Sequence, residues 1–377
     1  DDVMRGGVKI RKVDAESADG SPQGGATLAG ARFAIANASE QAVVVGETSF
    51  APGEVVMTVE TGEDGVAQTG SHDLPFGTYT VTEVAAPEGY LPDPEAQTVE
   101  ISENGTVYEL ERPFADQVVR GGLSVAKVDA ETGLPEPQGA ASLAGARFEV
   151  VNANEHPVFV GGSTYESGAV VMVIETDESG WAQTADGALP FGTYTVTEVA
   201  APEGYHAGTF DEGTGTVGQP CSITAVVDGD ASWHSYESEV YDQVVRGGIS
   251  VRKVDAETGP QGGAQGSASL AGARFTVTNA NEHAVTVGGE SFEPGEVVMT
   301  LTTDEEGCAS TGARDLPFGT YTVAEESAPE GYLADAEPQS VAVHEEGAVV
   351  AVANPFADHV ARGGVFVQKA DAEIGFD

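Results

Sequence analysis

Apolar and polar positions alternate in short runs along this chain, and clusters of Gly, Pro, Asp and Asn separate the runs. Residues 32–36, 55–59 and 78–84 are examples, and alternate side chains of such a run lie on opposite faces of a strand. No long stretch carries apolar residues at helical spacing. The pattern predicts short strands joined by turns, about seven in each repeating segment, which is typical of an antiparallel β-sandwich.

Internal repetition organises the chain. The sequence Leu-Ala-Gly-Ala-Arg-Phe begins at Leu28, Leu143 and Leu270, and Leu-Pro-Phe-Gly-Thr-Tyr-Thr-Val begins at Leu74, Leu189 and Leu316. These copies predict three domains, 5–118, 119–244 and 245–360, which we call the first, middle and last repeats. We expect 1–4 to be the end of a truncated upstream repeat and 361–377 to be the first strand of a truncated downstream one. The middle repeat has an enlarged loop near 206–235.

A lysine interrupts the apolar face of the first strand in every repeat. Lys12 shares a strand face with two apolar neighbours, and Lys127 and Lys253 stand at the same place in the other repeats. An unpaired ammonium group inside a core is costly, so each lysine is expected to have a buried partner.

The same alternation places two acids per repeat on apolar faces. Glu83 follows Tyr79 and Val81 on one face of a strand, and Asp116 shares a face with Phe114. Their counterparts in the other repeats are Glu198, Glu325, Asp242 and Asp358. One interpretation is a buried ion pair with a spare carboxyl, in which desolvation often offsets the Coulombic gain. The alternative is a reaction, because burial disfavours charged groups and loss of water between lysine and aspartate would leave a neutral amide.

Four motifs in a fixed order carry a family resemblance. They are Lys-Val-Asp-Ala-Glu, Leu-Ala-Gly-Ala-Arg-Phe, Leu-Pro-Phe-Gly-Thr-Tyr-Thr-Val and Ala-Pro-Glu-Gly-Tyr, and together they resemble the Cna B-type, SpaA pilin-like domains of Gram-positive surface proteins. The resemblance covers essentially the whole chain. It implies tandem prealbumin-like, or inverse immunoglobulin, sandwiches that are secreted and displayed at the cell wall.

The resemblance also implies a chemistry for the buried residues. Many members of the family form a spontaneous isopeptide bond between a lysine of the first strand and an Asn or Asp of the last, assisted by a Glu. The implied bonds here are Lys12 to Asp116, Lys127 to Asp242 and Lys253 to Asp358, with Glu83, Glu198 and Glu325 as the catalytic acids. Related pilins commonly use Asn as the acceptor, whereas the recurring residue here is Asp.

The resemblance favours a structural function, in which the chain forms the stalk of a cell-surface adhesin. Lys9 is the only lysine outside the repeated register, so no evident lysine links subunits into a fibre. We therefore expect neighbouring repeats of the same longer chain to be the main partners. Lys369 would belong to a downstream repeat and Asp1 to an upstream one, and both are expected to be unbonded.

Charge and composition exclude several other classes. The formal net charge of −45 argues against nucleic acid and against docking on anionic membranes, since both need clustered Lys and Arg. No signal peptide or membrane-inserting segment is evident. We expect no cofactor and no metal. Cys221 and Cys308 lie in different repeats, so a disulfide framework is not expected, and Cys308 is expected to fill the core.

Two other functions remain open from the sequence. The insertion at 208–218, with Trp233, His234, Tyr236 and Tyr241 nearby, could bind a host-surface or matrix ligand. An enzyme acting on an external substrate is not favoured, because the seven His are scattered and form no recognisable catalytic motif.

Overall fold

The computed structural model describes residues 2–93, 95–208, 210–211, 216–218, 220–229, 236–334 and 337–369. Its contacts divide the chain into two compact units. The first contains Asp1–Lys127, Ala144–Ala200 and Pro220–Val240, and the second contains Val128–Leu143, Ala201–Gln219 and Tyr241–Asp377. The division into three domains stays a prediction from the sequence repeats.

Every regular element of the described residues is a β-strand. The first repeat contains β1 (Arg5–Asp14), β2 (Arg32–Asn37), β3 (Val43–Val45), β4 (Thr48–Phe50), β5 (Val55–Glu60), β6 (Val66–Gln68), β7 (Leu74–Pro75), β8 (Gly77–Ala85), β9 (Tyr90–Leu91), β10 (Gln97–Ile101), β11 (Val107–Glu109) and β12 (Phe114–Val118). The middle repeat contains β13 (Arg120–Gly121), β14 (Leu123–Asp129), β15 (Arg147–Asn152), β16 (Val158–Val160), β17 (Ser163–Tyr165), β18 (Val170–Glu175), β19 (Trp181–Gln183), β20 (Leu189–Pro190), β21 (Gly192–Ala200), β22 (Tyr205–His206), β23 (Phe210–Asp211), β24 (Thr216–Val217), β25 (Ser222–Val227) and β26 (Tyr236–Val244). The last repeat contains β27 (Arg246–Asp255), β28 (Arg274–Asn279), β29 (Val285–Val287), β30 (Glu290–Phe292), β31 (Val297–Thr302), β32 (Cys308–Ser310), β33 (Leu316–Pro317), β34 (Gly319–Ser327), β35 (Tyr332–Leu333), β36 (Gln339–Val343), β37 (Val349–Ala351) and β38 (Phe356–Val360).

Two sheets face each other in the first repeat. One is antiparallel with the order β10-β8-β2-β5. The other is built around β1, which pairs antiparallel with β6 and β7 and parallel with β11 and β12. Their inward side chains, among them Ile10, Phe33, Val81 and Phe114, form one hydrophobic core. The predicted all-β sandwich is therefore confirmed, with more and shorter strands than the sequence suggested.

The other two repeats use the same pairings within each unit. In the first unit, β18-β15-β21-β25 form an antiparallel sheet and β14 pairs with β19. In the second unit, β31-β28-β34-β36 form the antiparallel sheet of the last repeat, and β27 pairs in parallel with β37 and β38. In the first repeat, β1 is therefore the direct neighbour of β12, and in the last repeat β27 is the direct neighbour of β38.

Three expectations from the sequence have different outcomes in the structure. Cys308 is exposed, which contradicts its assignment to the core, because in the Gly-x-Ala turn the following alanine faces inward, as Ala67 does. Residues 361–369 form no strand and are exposed. Much of the enlarged loop, with Trp233 and His234, lies outside the described residues, as does Asp1.

Among the described residues, no helix has the length and apolar character that crossing a bilayer requires.

Candidate functional site

The first repeat brings its predicted lysine and two acids together inside the sandwich. Lys12 on β1 lies beside β12, where it is in register with Phe114, so Asp116 lies on the neighbouring strand of the same sheet. Glu83 on β8 reaches in from the opposite sheet. The Lys12 Nζ is 3.0 Å from Glu83 Oε2 and contacts Asp116 Oδ1, and all three side chains are 0% exposed.

Local structure fixes the two acids. The backbone N–H of Asp93 donates to both carboxylates, at 2.9 Å to Glu83 Oε2 and 2.8 Å to Asp116 Oδ1. Phe33 pairs with Glu83 across β2 and β8, and its ring centroid is 4.8 Å from that of Phe114. Phe33 and Phe114 are thus in register with Glu83 and Lys12, and because the charged side chains are fully buried, their interactions are stronger than they would be in water.

Burial changes the acidity of the glutamate. Desolvation raises the pKa of Glu83 from 4.5 to about 7, Lys12 opposes that rise and Asp116 adds to it. The same combination raises the pKa of Glu325 to about 7 in the last repeat. Each of these glutamates can therefore hold or release a proton near neutral pH, which is the requirement for general acid–base work.

The last repeat reproduces the arrangement. Lys253 on β27 is in parallel register with Phe356 on β38, which places Asp358 beside it. The Lys253 Nζ is 2.8 Å from Glu325 Oε2 and 2.5 Å from Asp358 Oδ1. The rings of Phe275 and Phe356 lie 4.7 Å apart, and these residues are in register with Glu325 and Lys253.

The candidate residues of the middle repeat belong to different units, Lys127 and Glu198 to the first and Asp242 to the second. In the first unit, the Lys127 Nζ is 2.6 Å from Glu198 Oε1, both side chains are fully buried, and the ammonium lies 5.8 Å from the centroid of the Phe148 ring. In the second unit, Asp242 is buried and its Oδ1 accepts a hydrogen bond of 3.0 Å from the backbone N–H of Gly208.

The clusters of the first and last repeats contain one base and two acids. Among the described residues, Glu83 Oε1, Asp116 Oδ2 and Glu325 Oε1 are buried and make no hydrogen bond. Buried polar atoms without partners are costly, so these sites are poorly satisfied as simple ion pairs. An amine in contact with a carboxyl, beside a second carboxyl that holds a proton, has the groups that amide formation needs.

A second buried polar group in each repeat was not found from the sequence. Asp14, two positions after Lys12, accepts hydrogen bonds from the Tyr90 hydroxyl at 2.8 Å and from Gln23 Nε2 at 3.0 Å. The equivalents are Asp129, Tyr205 and Gln138 in the middle repeat and Asp255, Tyr332 and Gln265 in the last. The recurrence of Asp and Tyr at fixed places was the available signal, but nothing in the alternation pairs them.

The remaining candidate residues lie on the surface or outside the described part. Lys9 forms a surface ion pair with Glu109 at 3.3 Å, and Lys369 is exposed. Tyr241 is exposed, and the side chain of Tyr236 is outside the described residues. In the described part of the chain, no group of three or more His, Cys, Asp or Glu could hold a metal ion.

Comparison with known proteins gives the family. The model of the SpaA prealbumin-like fold domain matches residues 6–112, 121–212 and 247–355. No curated protein matches the chain. The structure is similar to that of the Bacillus anthracis TIE protein, with 24% identity and a TM-score of 0.53, over 94% of this chain and 51% of that one, so the chain spans about half the length of that protein.

Two pilus proteins are also among the similar structures. The RrgB pilus protein from Streptococcus pneumoniae is 13% identical with a TM-score of 0.33, and the match covers 97% of this chain and 100% of that one. BcpA, the major pilin subunit of Bacillus cereus, is 14% identical with a TM-score of 0.32, and the match covers 95% and 100%. Since the family model matches well over half of the residues, the chain belongs to the family of SpaA prealbumin-like fold domains.

Proposed function

We propose that the chain is a structural segment of a Gram-positive cell-surface protein, in which each repeat is crosslinked by an isopeptide bond between its lysine and its aspartate. The bonds join Lys12 to Asp116, Lys127 to Asp242 and Lys253 to Asp358. The observation that carries the proposal is the contact between the fully buried side chains of Lys12 and Asp116, through Nζ and Oδ1, which Lys253 and Asp358 repeat. The chain then acts as a stalk and turns over no external substrate.

The reaction balances without an added reagent. The nitrogen of Lys12 attacks the carboxyl carbon of Asp116, one C–O bond of that carboxyl breaks, and one water leaves. Overall, an ammonium and a carboxylate become a neutral amide and water. Glu83 lies 3.0 Å from the nitrogen and has a pKa of about 7, so in its protonated form it can donate a proton to the departing oxygen and then accept the amine proton. Glu198 and Glu325 have this role in the other repeats.

Removal of charge from the core supplies the driving force. Two fully buried charged groups disappear when the amide forms, together with their desolvation cost. The effective concentration of the partners is high, because the fold holds amine and carboxyl in contact before any bond forms. These considerations favour condensation over a permanent ion pair.

The position of the bond suits a load-bearing stalk. Lys12 and Asp116 lie on adjacent parallel strands, one at each end of the first repeat. Force that enters at residue 5 and leaves at residue 118 would pass from Lys12 through the amide to Asp116, and the intervening residues would carry little of it. Such a bond also needs no oxidant, which suits a chain with two cysteines.

The surface location rests on the family and on similarity. SpaA-type domains and the named pilus proteins point to display on a Gram-positive cell wall, and the charge of −45 gives a strongly solvated surface. We propose that neighbouring repeats are the partners within this stalk.

Intact mass spectrometry of the folded chain tests the proposal. We expect a mass lower than that of the sequence by one water for each repeat, and a branched peptide that joins Lys12 to Asp116 after digestion. Lys253→Met should restore one water, whereas Lys9→Met, which changes a surface lysine, should leave the deficit unchanged. A folded chain with the full, unmodified mass would rule the bonds out.

A further inference from the structure

A backbone N–H is directed at the acceptor carboxyl of the first repeat. The N–H of Asp93 donates to Asp116 Oδ1 at 2.8 Å and to Glu83 Oε2 at 2.9 Å, so one donor bonds both acids of the cluster. The other oxygen of Asp116, Oδ2, is buried and makes no hydrogen bond among the described residues. The two oxygens of the acceptor carboxyl are therefore in different environments.

The middle repeat has the same donor, in the second unit. Gly208 follows the tyrosine of its Gly-Tyr pair by three positions, as Asp93 does in the first repeat, and its N–H donates to Asp242 Oδ1 at 3.0 Å. The two donors have different side chains, so the feature that both repeats share is the main-chain N–H. The corresponding residue of the last repeat, Asp335, lies outside the described residues.

Tyr90 holds the segment that carries the N–H of Asp93. Its strand, β9, pairs antiparallel with β12, the strand of Asp116, and its hydroxyl donates to Asp14 at 2.8 Å. Pro92 restricts the main chain between Tyr90 and the donor. The N–H therefore has its position before any bond forms, and a donor that needs no reorganisation is the kind that lowers a barrier effectively.

We propose that the N–H of Asp93 stabilises the oxyanion that forms when Lys12 reacts with Asp116. This inference rests on the crosslinking reaction proposed above and adds a catalytic group to it. Glu83 transfers protons, which a backbone N–H does not do, whereas the N–H stabilises charge on an oxygen that keeps its bond to carbon. The side chains of Lys12 and Asp116 are fully buried, and in such a site a hydrogen bond to an anion is stronger than in water.

The geometry also assigns the fate of each carboxyl oxygen. The Lys12 nitrogen adds to the carboxyl carbon of Asp116, and negative charge collects on Oδ1, to which Asp93 donates. The C–N bond remains, the C–Oδ2 bond breaks, and Oδ1 becomes the amide oxygen. The two protons that the ammonium group loses leave with Oδ2 as one water, and Glu83 transfers them. No oxidant or other reagent is needed.

Asp93→Pro removes the N–H and tests its role. Asp93→Ala is the matched control, because it loses the same side chain, which pairs with Arg112 at 3.3 Å, but keeps the N–H. Newly made, unfolded chain is diluted into buffer, and water loss in each repeat is followed by mass spectrometry after digestion. We expect the first repeat of Asp93→Pro to form its bond about 100-fold or more slowly than that of Asp93→Ala, since loss of one oxyanion donor costs about 10²–10³-fold in rate.

A second variant removes the N–H without introducing a ring. Lactic acid incorporated at residue 93 by nonsense suppression puts an ester oxygen in place of the N–H and has the side chain of Asp93→Ala. We expect the same slowing, of about 100-fold or more relative to Asp93→Ala. The fold of each variant is checked by its melting curve in a Lys12→Met background, in which the first repeat cannot form the bond.

The internal references separate this inference from the crosslink itself. A folded ester variant whose first repeat forms the bond as fast as that of Asp93→Ala would overturn the role of the N–H and leave the crosslink intact. Equal slowing in Asp93→Ala and Asp93→Pro would also overturn it, because the side chain would then be responsible. A wild-type chain that loses no water in the first repeat would overturn the crosslink, and the oxyanion donor with it.

The last repeat should form its bond at the same rate in every variant, because Lys253 and Asp358 belong to a separate cluster. A last repeat slowed as much as the first would show a general folding defect and contradict a local role for Asp93.

Discussion

Glu83→Gln tests the crosslink with the smallest change of shape. Glutamine fills the same space and can still accept a hydrogen bond from Lys12, but it cannot take up or release a proton. We therefore expect the first repeat to stay uncrosslinked. The loop that the bond would close runs from residue 12 to residue 116, and in the chain-entropy model closing a loop of about 100 residues is worth about 4.7 kcal/mol. For a domain of this size, that loss lowers the melting temperature by roughly 20 °C.

The assay combines mass and calorimetry on the full chain. Mass spectrometry should show one water regained, and calorimetry should show one transition moved to lower temperature while the other repeats act as internal references. Glu109→Gln is the matched control, since Glu109 is an exposed carboxylate paired with Lys9 and Arg11. Surface pairs of this kind contribute at most about 1 kcal/mol, so its transition should hardly move.

Two results would refute this reasoning. If Glu83→Gln still loses a water in the first repeat, the glutamate is not needed for the bond. If the water is regained but the melting temperature is unchanged, the bond forms without stabilising the repeat, and the loop-closure argument is wrong.

Three further predictions concern the pKa of Glu83, the buried hydrogen bond of Tyr90 and the contact between Gly24 and Phe191. Because burial raises the pKa of Glu83 from 4.5 to about 7, its protonated form stabilises the folded, unreacted repeat fully below about pH 4.5, and that contribution is lost as the pH rises through about 7. When newly made, unfolded chain is diluted into buffer, it should therefore lose water more slowly above about pH 7, as followed by mass spectrometry. A rate that does not change with pH would contradict a role for the Glu83 proton. Tyr90→Phe removes the 2.8 Å hydrogen bond to Asp14 and should lower the free energy of unfolding by about 1–3 kcal/mol in urea titrations, whereas an unchanged midpoint would mean that other donors replace it. Gly24→Ala should loosen the contact between the first and middle repeats and speed cleavage there by a protease, because its Cβ would lie 2.2 Å from the carbonyl oxygen of Phe191. Gly30→Ala, also at positive φ but with nothing within 4 Å, should cost only the backbone strain and leave cleavage unchanged.

The sequence alone determined which side chains face inward. Alternation placed Lys12, Glu83 and Asp116 on apolar faces of their strands, and the structure buries all three. It also gave the fold class, since no helical spacing competes with the strand pattern. A period of two fixes the face of a residue wherever the strand lies, which is why these inferences need no knowledge of the partner strands.

The tertiary structure decided which inward-facing groups meet. The parallel pairing of β1 with β12 makes Asp116 a neighbour of Lys12, and the packing of the opposite sheet brings in Glu83. Long-range contacts also give Asp14 its hydrogen bonds and pack Phe191 against the cluster that contains Tyr90. No local pattern in the sequence predicts either contact. Cys308 was misplaced because the turn before it, and not the strand pattern, sets the residue that faces the core. Pairing between distant strands depends on the free energy of the whole fold, so the face of a residue can be predicted from its neighbours in sequence, whereas its contacts cannot.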